Sequence, residues 1–465
     1  MDHPVPDRLT IPTGPGALHE ATTGQLGAWI EGCFGGRITD WHQISGGNRC
    51  RSWLVRLEGA SVGQVYLRYQ PPRAPSVEPY TVWREAQVYL AIAGTGVPAP
   101  RLLAVHPEHQ AIVTTVAAGR ADFRRLTDPQ EKTAIIADFL RGLARLHAAP
   151  LATLPTGTLG CPATIADCVR AEIAIWRDMY RETGQTDPLI ALALDWLDRN
   201  VPPADDPPVL VHGDAGPGNF LFHDHRMSAL VDWELAHPGD PIEDLAWFSM
   251  RAVMEPVPDF AASLADYEAV SGRRIDLRRL LYHRVMVSTR VVIIRHRNVT
   301  GLPGNSIVSR ALNRRLLVDA LAVAEGLALP AHQPVTGAPT ARSALYDGLL
   351  DDLRIIADQP DPALRTIATN AAKVMKFLRE YDRIGAATET RARDLVNAAL
   401  GSDAPDADTA LHLLTRAIDT RVLDLPRALH LLAALIADDA QLAAPSSGGM
   451  AGRGFPPIPE RLQTR

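Results

Sequence analysis

Residues 211–222 read VHGDAGPGNFLF: an apolar, strand-like run, a loop rich in Gly and Pro, and a second apolar run, with Asp214 and Asn219 held five residues apart between them. An Asp at the end of a buried strand, in a loop facing a cleft, can accept a proton or hold a metal; taken alone it can equally be an Asx-turn. Asn219 adds a neutral carbonyl oxygen, an ordinary second ligand for a hard cation such as Mg2+. Thirteen residues after Asn219 the run ALVDWE reaches Asp232, with Glu234 just beyond. If the two apolar runs pair as a hairpin around HDHR, Asn219 and Asp232 meet at its open end with Asp214 beside them. Several hard oxygen donors facing one place suit Mg2+, which takes carboxylates and leaves room for waters and substrate phosphates.

Working outward, RCRSWLVRLEG and GQVYLRYQ read as two strands of a hairpin bounded by Gly59 and Gly63. VEPYTVWREAQVYLAIAGTG follows, with Val82, Tyr89 and Ile92 on one helical stripe that Gly94 and Gly96 terminate. AIVTTV, residues 111–116, is a further short strand. Glu85 shares the helical stripe, so a carboxylate points where a core residue is expected. Buried without a partner, its charge is costly, and Arg68 on the neighbouring strand is the natural cation. From Asp128 the signals turn helical: Asp128 with Pro129 reads as a cap and first position, followed by Ile136, Phe139, Leu140, Leu143 and Leu146 at core spacing. PPVLVHGD, GNFLF and MSALVDW are three short strands embedded in this helical part.

The run HGDxxxxN, an apolar strand and DWE, here His212-Gly213-Asp214, Asn219 and Asp232-Trp233-Glu234, together with GDPIEDLAWF, resembles the aminoglycoside phosphotransferase and choline kinase group. The likeness is closest to the phosphotransferases related to domains fused to acyl-CoA dehydrogenases, and it covers about residues 25–330. It implies an α+β, bilobal protein-kinase-like fold, with a nucleotide-binding N-terminal lobe over 25–117 and a helical catalytic lobe over 118–330. By position it makes Asp214 the catalytic base, and it makes Asn219 and Asp232 the Mg2+ ligands on the phosphates of ATP. Gly46, Gly47 and Ser52 fall at the Gly-containing turn over the nucleotide, and Thr115 and Val116 fall in the connection that meets the adenine. Arg68 stands where protein kinases and drug-modifying phosphotransferases carry a Lys, as in the acyl-CoA-dehydrogenase-linked relatives, and it is paired with Glu85. A permanently charged, planar guanidinium can grip two phosphate oxygens, so the exchange is chemically sound. His212, Asp240 and Asp244 read as bracing rather than reacting groups.

Beyond the linker LPAHQPVTGAPTARS, residues 341–440 read as an extra all-α bundle that is a candidate for self-association or a protein contact. The Gly-, Pro- and Ser-rich residues 441–465 read as a disordered tail. In a chain of 465 residues, 46% are hydrophobic and 22% charged, and 47 basic against 53 acidic residues leave a formal charge of -6. That is an ordinary globular composition without the basic run that nucleic acid would need. The start, MDHPVPDRLTIPTG, lacks signal-peptide character and no run is apolar enough to span a bilayer, so the expectation is a cytoplasmic protein without membrane or nucleic-acid partners. The four cysteines are scattered, with no CxxC spacing. The functional expectation is an ATP- and Mg2+-dependent transfer of phosphate to a hydroxyl of a small molecule, a hydroxylated acyl thioester among the candidates. The alternatives are a metal-dependent phosphohydrolase using His212, Asp214, Asn219, Asp232, His237 and Asp240, or a non-catalytic nucleotide-binding module.

Overall fold

The computed structural model describes residues 9–14, 16–44, 50–74, 76–297 and 303–463. The first part runs α1 (Thr23–Phe34), β1 (Arg37–Ile44), β2 (Arg51–Glu58), β3 (Gln64–Tyr69), α2 (Val82–Ile92), β4 (Leu102–Val105) and β5 (Ala111–Thr115). There follow α3 (Pro129–Ala148), α4 (Ile165–Arg181), α5 (Pro188–Arg199), β6 (Val209–Val211), β7 (Phe220–His223), β8 (Arg226–Leu230), β9 (His237–Gly239), α6 (Pro241–Met254) and α7 (Phe260–Ser271). The remainder is helical: α8 (Leu277–Arg297), α9 (Pro303–Glu325), α10 (Ser343–Ala357), α11 (Pro362–Leu400), α12 (Ala407–Asp419), α13 (Leu425–Ser447) and α14 (Glu460–Gln463). A β-rich part leads into a helical part, as the α+β reading requires. No helix among the described residues is long and apolar enough to cross a membrane.

By packing, the chain divides into two units: Met1–Ile175 with Pro203–Leu280 and Pro456–Arg465, and Trp176–Pro202 with Leu281–Phe455. In the first unit a five-stranded sheet has the order β1-β2-β3-β5-β4. The anticipated hairpin is β2–β3, antiparallel, with Ser52 opposite Arg68; β3 then pairs with β5, Leu67 opposite Val113. Alternation along β2 and β3 buries Val55, Leu57, Val65, Leu67 and Tyr69 in one core with Leu26, Ile30 and Phe34 of α1. Thr81 caps α2 by accepting the Arg84 N–H at 3.2 Å, and the helix buries Val82, Glu85, Ala86, Tyr89 and Ile92. Asp128 caps α3 with Pro129 in the first turn, as read from the sequence. The embedded strands form two small sheets rather than one: β7 pairs with β8, whereas β6 pairs with β9.

The second unit differs from the expected partition. Helices α5 and α9, on the catalytic side of the expected boundary at 330, pack with α11, α12 and α13. The apolar faces of α5 and α9 are therefore part of the C-terminal core, something hydrophobic periodicity within one segment does not reveal. The tail is also different: α13 continues through 441–447, with Leu442 and Ala443 buried, and Leu462 of α14 is buried as well. Composition marked the Gly, Pro and Ser of this stretch, but its few apolar residues continue the buried stripe of Leu435 and Ile436.

Candidate active site

The loop between β6 and β7 is held from below by one carboxylate. Asp244 of α6 accepts the His212 N–H at 2.8 Å on Oδ2 and the Gly213 N–H at 2.9 Å on Oδ1. His147 of α3 stands 3.0 Å from the same Oδ2, its other ring nitrogen 2.7 Å from the Tyr267 hydroxyl. Gly213 takes φ +76°, and a Cβ there would lie 2.2 Å from the Leu235 carbonyl oxygen, so the motif needs glycine at this position. The His212 ring packs on Trp233 with centroids 4.6 Å apart and places Nε2 3.0 Å from the Val231 oxygen. His212 and Asp244 are thus parts of the frame, as read.

The frame delivers three oxygen-bearing side chains to one place. Phe220 and Leu230 face each other at the open end of the β7–β8 hairpin, and the Val231 N–H donates to the Asn219 oxygen at 3.0 Å. Asn219 donates Nδ2 to the Asp214 carbonyl at 2.8 Å, which fixes its amide and leaves Oδ1 as the acceptor it can present. Asp232 sits at φ +66°, a left-handed conformation uncommon outside glycine, of the kind that strained functional positions adopt. Asp214 is gripped by Arg251 of α6, whose Nε donates to Oδ1 at 2.8 Å and whose Nη2 donates to Oδ2. Arg251 was not singled out in the sequence. It lies in the last turn of a helix whose interest seemed to end at GDPIEDLAWF, and only its period from Asp244, seven residues or two turns, hints that it faces the same loop.

Arg68 completes the cluster from the sheet. Its Nε forms an ion pair with Glu85 Oε2 at 2.9 Å, and its Nη2 donates to Asp232 Oδ1 at 2.9 Å and to Glu234 Oε2 at 2.6 Å. Glu85 is only 2% exposed. Burial pushes its carboxyl pKa up to about 7 in spite of Arg68. Burial acts the same way on Asp232, but Arg68 first and Arg251 next outweigh it and hold that carboxyl below the usual carboxylate range. The Asp232 carboxyl is therefore held toward its ionised form by its two arginine neighbours.

Other expected residues are placed less centrally. Gly46 and Gly47 lie outside the described residues. Ser52 is buried at the start of β2, opposite Arg68. Thr115 spends its N–H on the Arg101 carbonyl and its hydroxyl oxygen on the Arg101 N–H, both at 2.9 Å, while Val116 just past the strand is exposed. The structure does not bring His237 and Asp240 to the site: His237 faces the Leu235 oxygen and Glu243, and Asp240 caps α6 and pairs with Arg279. The donor set of a two-metal phosphohydrolase is therefore not assembled.

The family model described as the phosphotransferase enzyme family matches residues 40–280, just over half of the chain, and the chain belongs to that family. Human acyl-CoA dehydrogenase family member 11 is 31% identical over 196 residues, which are 40% of this chain and 25% of that protein. The chicken protein of the same name is 32% identical over 198 residues, with the same shares. The chain thus spans about a quarter of the length of the curated relatives it matches. Among solved structures, the aminoglycoside phosphotransferase APH(4)-Ia has 19% identity and a TM-score of 0.49, covering 66% of this chain and 100% of that one. A macrolide 2'-phosphotransferase from Brachybacterium faecium has 20% identity and a TM-score of 0.41, covering 57% and 88%.

Proposed function

We propose that the protein moves the terminal phosphate of ATP to a hydroxyl of a small molecule, with Asp214 as the base and Asn219 and Asp232 as the Mg2+ ligands. The observation that carries this reading is Arg68, a single cation joining Glu85 of α2 to Asp232 and Glu234 beside the Asp214 loop. Phosphoryl transfer relies mostly on positioning and charge neutralisation, and this cluster gathers groups for both. Held by Asn219 and Asp232, Mg2+ would neutralise charge on the nucleotide phosphates.

Arg68 presents a guanidinium to the phosphates, and Glu85 holds it in place from α2. Asp214 orients the acceptor hydroxyl and takes its proton, work worth on the order of 100 to 10,000-fold in rate for a general base. Arg251 holds the Asp214 carboxylate in a fixed orientation through its two hydrogen bonds. Val116, exposed just past β5, opens the connection whose backbone meets the adenine. For the acceptor, the partial likeness to acyl-CoA dehydrogenase family members favours a metabolite hydroxyl, a hydroxylated acyl thioester among the first to try.

The test is a panel of hydroxylated metabolites incubated with ATP and Mg2+, read by mass spectrometry for a phosphorylated product, in wild type and in Asp214→Asn. A product formed by the first and not by the second supports the reading. Equal product from both removes Asp214 as the base.

A further inference from the structure

The helical hairpin of α10 and α11 carries an apolar face that no other element among the described residues covers. No residue of α10 is buried, although Tyr346, Leu350, Leu353 and Ala357, at helical spacing, are half-buried and face α11. A second stripe on α10 holds Leu345, Leu349 and Ile356, with the exposed Asp352 between the last two, displaced by about a quarter turn from the first. On α11, Leu364, Ile367 and Leu378 recur at spacings of three and eleven; Ile367 and Leu378 lie about a quarter turn from Ala368, which is buried, and Leu364 lies on the same side at about half that angle. In an antiparallel pair of right-handed helices, displacements of the same sense along each chain fall on the same side of the hairpin. The six side chains therefore make one face, and each is between 40% and 68% exposed.

We infer that this face is the interface between two copies of the chain, which pair hairpin on hairpin about a two-fold axis as a four-helix bundle. Three things favour a second copy. The six residues amount to about three fully exposed side chains, roughly 350 Å² per copy and 700 Å² per pair at about 120 Å² of apolar area each. With the residues around them, a pair approaches the ~1,000 Å² a specific interface needs. An apolar face of this size is comparable to the largest patch a monomer ordinarily carries, about 300–600 Å², and patches of that kind are often interaction sites.

Second, the charges are self-complementary. Across 343–357 there are three acids, Asp347, Asp351 and Asp352, against one base, Arg354; within the chain Asp347 also pairs with Arg379 of α11 at 2.5 Å and Asp351 with Arg354 at 3.2 Å, both exposed pairs that a partner's bases can share. Across 362–378 there are three bases, Arg365, Lys373 and Lys376, and no acid; two of the chain's three lysines stand here. A two-fold axis along the hairpin sets the acidic α10 of each copy over the basic α11 of the other, and antiparallel to it. Third, two antiparallel helices with one apolar face are half of a four-helix bundle, and an identical hairpin supplies the other half.

Sedimentation of the full chain between 1 and 100 µM tests this, with the values chosen to bracket a dimer of about micromolar affinity. The expected result is a species of twice the chain mass. In L349D/I367D, whose side chains stand in water in a single chain, circular dichroism should be unchanged and the mass should fall to one chain. Val422→Asp, at an exposed apolar residue elsewhere on the unit, should leave the pair intact. A wild type that stays single throughout this range, or an L349D/I367D protein that stays paired, would overturn the inference.

Discussion

Arg251 of α6 grips both carboxylate oxygens of Asp214, with Nε donating to Oδ1 at 2.8 Å and Nη2 to Oδ2. The planar fork fixes the plane of the carboxylate as well as its charge, which a lysine cannot do. Arg251→Lys is therefore expected to lower kcat by on the order of 100-fold, the cost of misplacing a reacting group by about an ångström. The apparent KM for ATP should change little. Steady-state kinetics check this, and a kcat that rises in Arg251→Lys would show the clamp to be inhibitory.

At Arg68 the expectation concerns binding of ATP. Arg68→Ala leaves Glu85 buried without a cation and removes a phosphate donor, so the KM for ATP should rise steeply; Arg68→Lys, which keeps the charge, should lie between that variant and wild type. Equal effects on KM from the two substitutions would mean that Arg68 does not meet the phosphates.

Glu85 gives the pH dependence of stability. Its carboxyl titrates near 4.5 unfolded and at about 7 in the fold, so between these values the folded state binds the extra proton. Stability contributed through Glu85 is full below about pH 4.5 and declines as pH rises through 7. Asp232 acts in the opposite sense and lower: its depressed carboxyl stabilises above the ordinary Asp range and loses that stability as pH falls below it. Melting temperatures of wild type and Glu85→Gln from pH 4.5 to 8 isolate the first effect. The difference, wild type minus variant, should fall with rising pH, and a flat difference would count against the burial argument.

Gly213→Ala tests the loop frame. The substitution must open a 2.2 Å approach to the Leu235 oxygen at a left-handed φ, with strain of about 1–3 kcal/mol. Thermal denaturation should show a loss of several degrees, together with lost turnover, because Asp214 is the next residue.

Much of the site was legible because each part leaves a local mark. Asp214 and Asp232 follow apolar runs, Asn219 opens one, and Glu85 interrupts an apolar stripe; Arg68 joins Glu85 to Asp232, and Asn219 bonds the Asp214 backbone. Arg251 was not legible, because an arginine in the last turn of a helix has an ordinary surface reading and its partner lies 37 residues away. His237 and Asp240 are metal donors only in the phosphohydrolase alternative, and Asp240 is the bracing group it reads as, capping α6. His237 faces Glu243 and Asp240 pairs with Arg279, contacts that only tertiary packing creates. The packing of α5 and α9 with the C-terminal helices was equally hidden, since a helix's apolar stripe shows that it packs and not against what.

The central claim is that Asp214 serves phosphoryl transfer to a small-molecule hydroxyl. The most direct measurement follows the terminal phosphate of ATP, in the presence of Mg2+ and the hydroxylated acceptor found by the metabolite panel, in wild type, Asp214→Asn and Asp232→Asn of equal foldedness. Phosphorylated acceptor should form with wild type and fall by at least about 100-fold in both variants. Undiminished product with Asp214→Asn would contradict the claim.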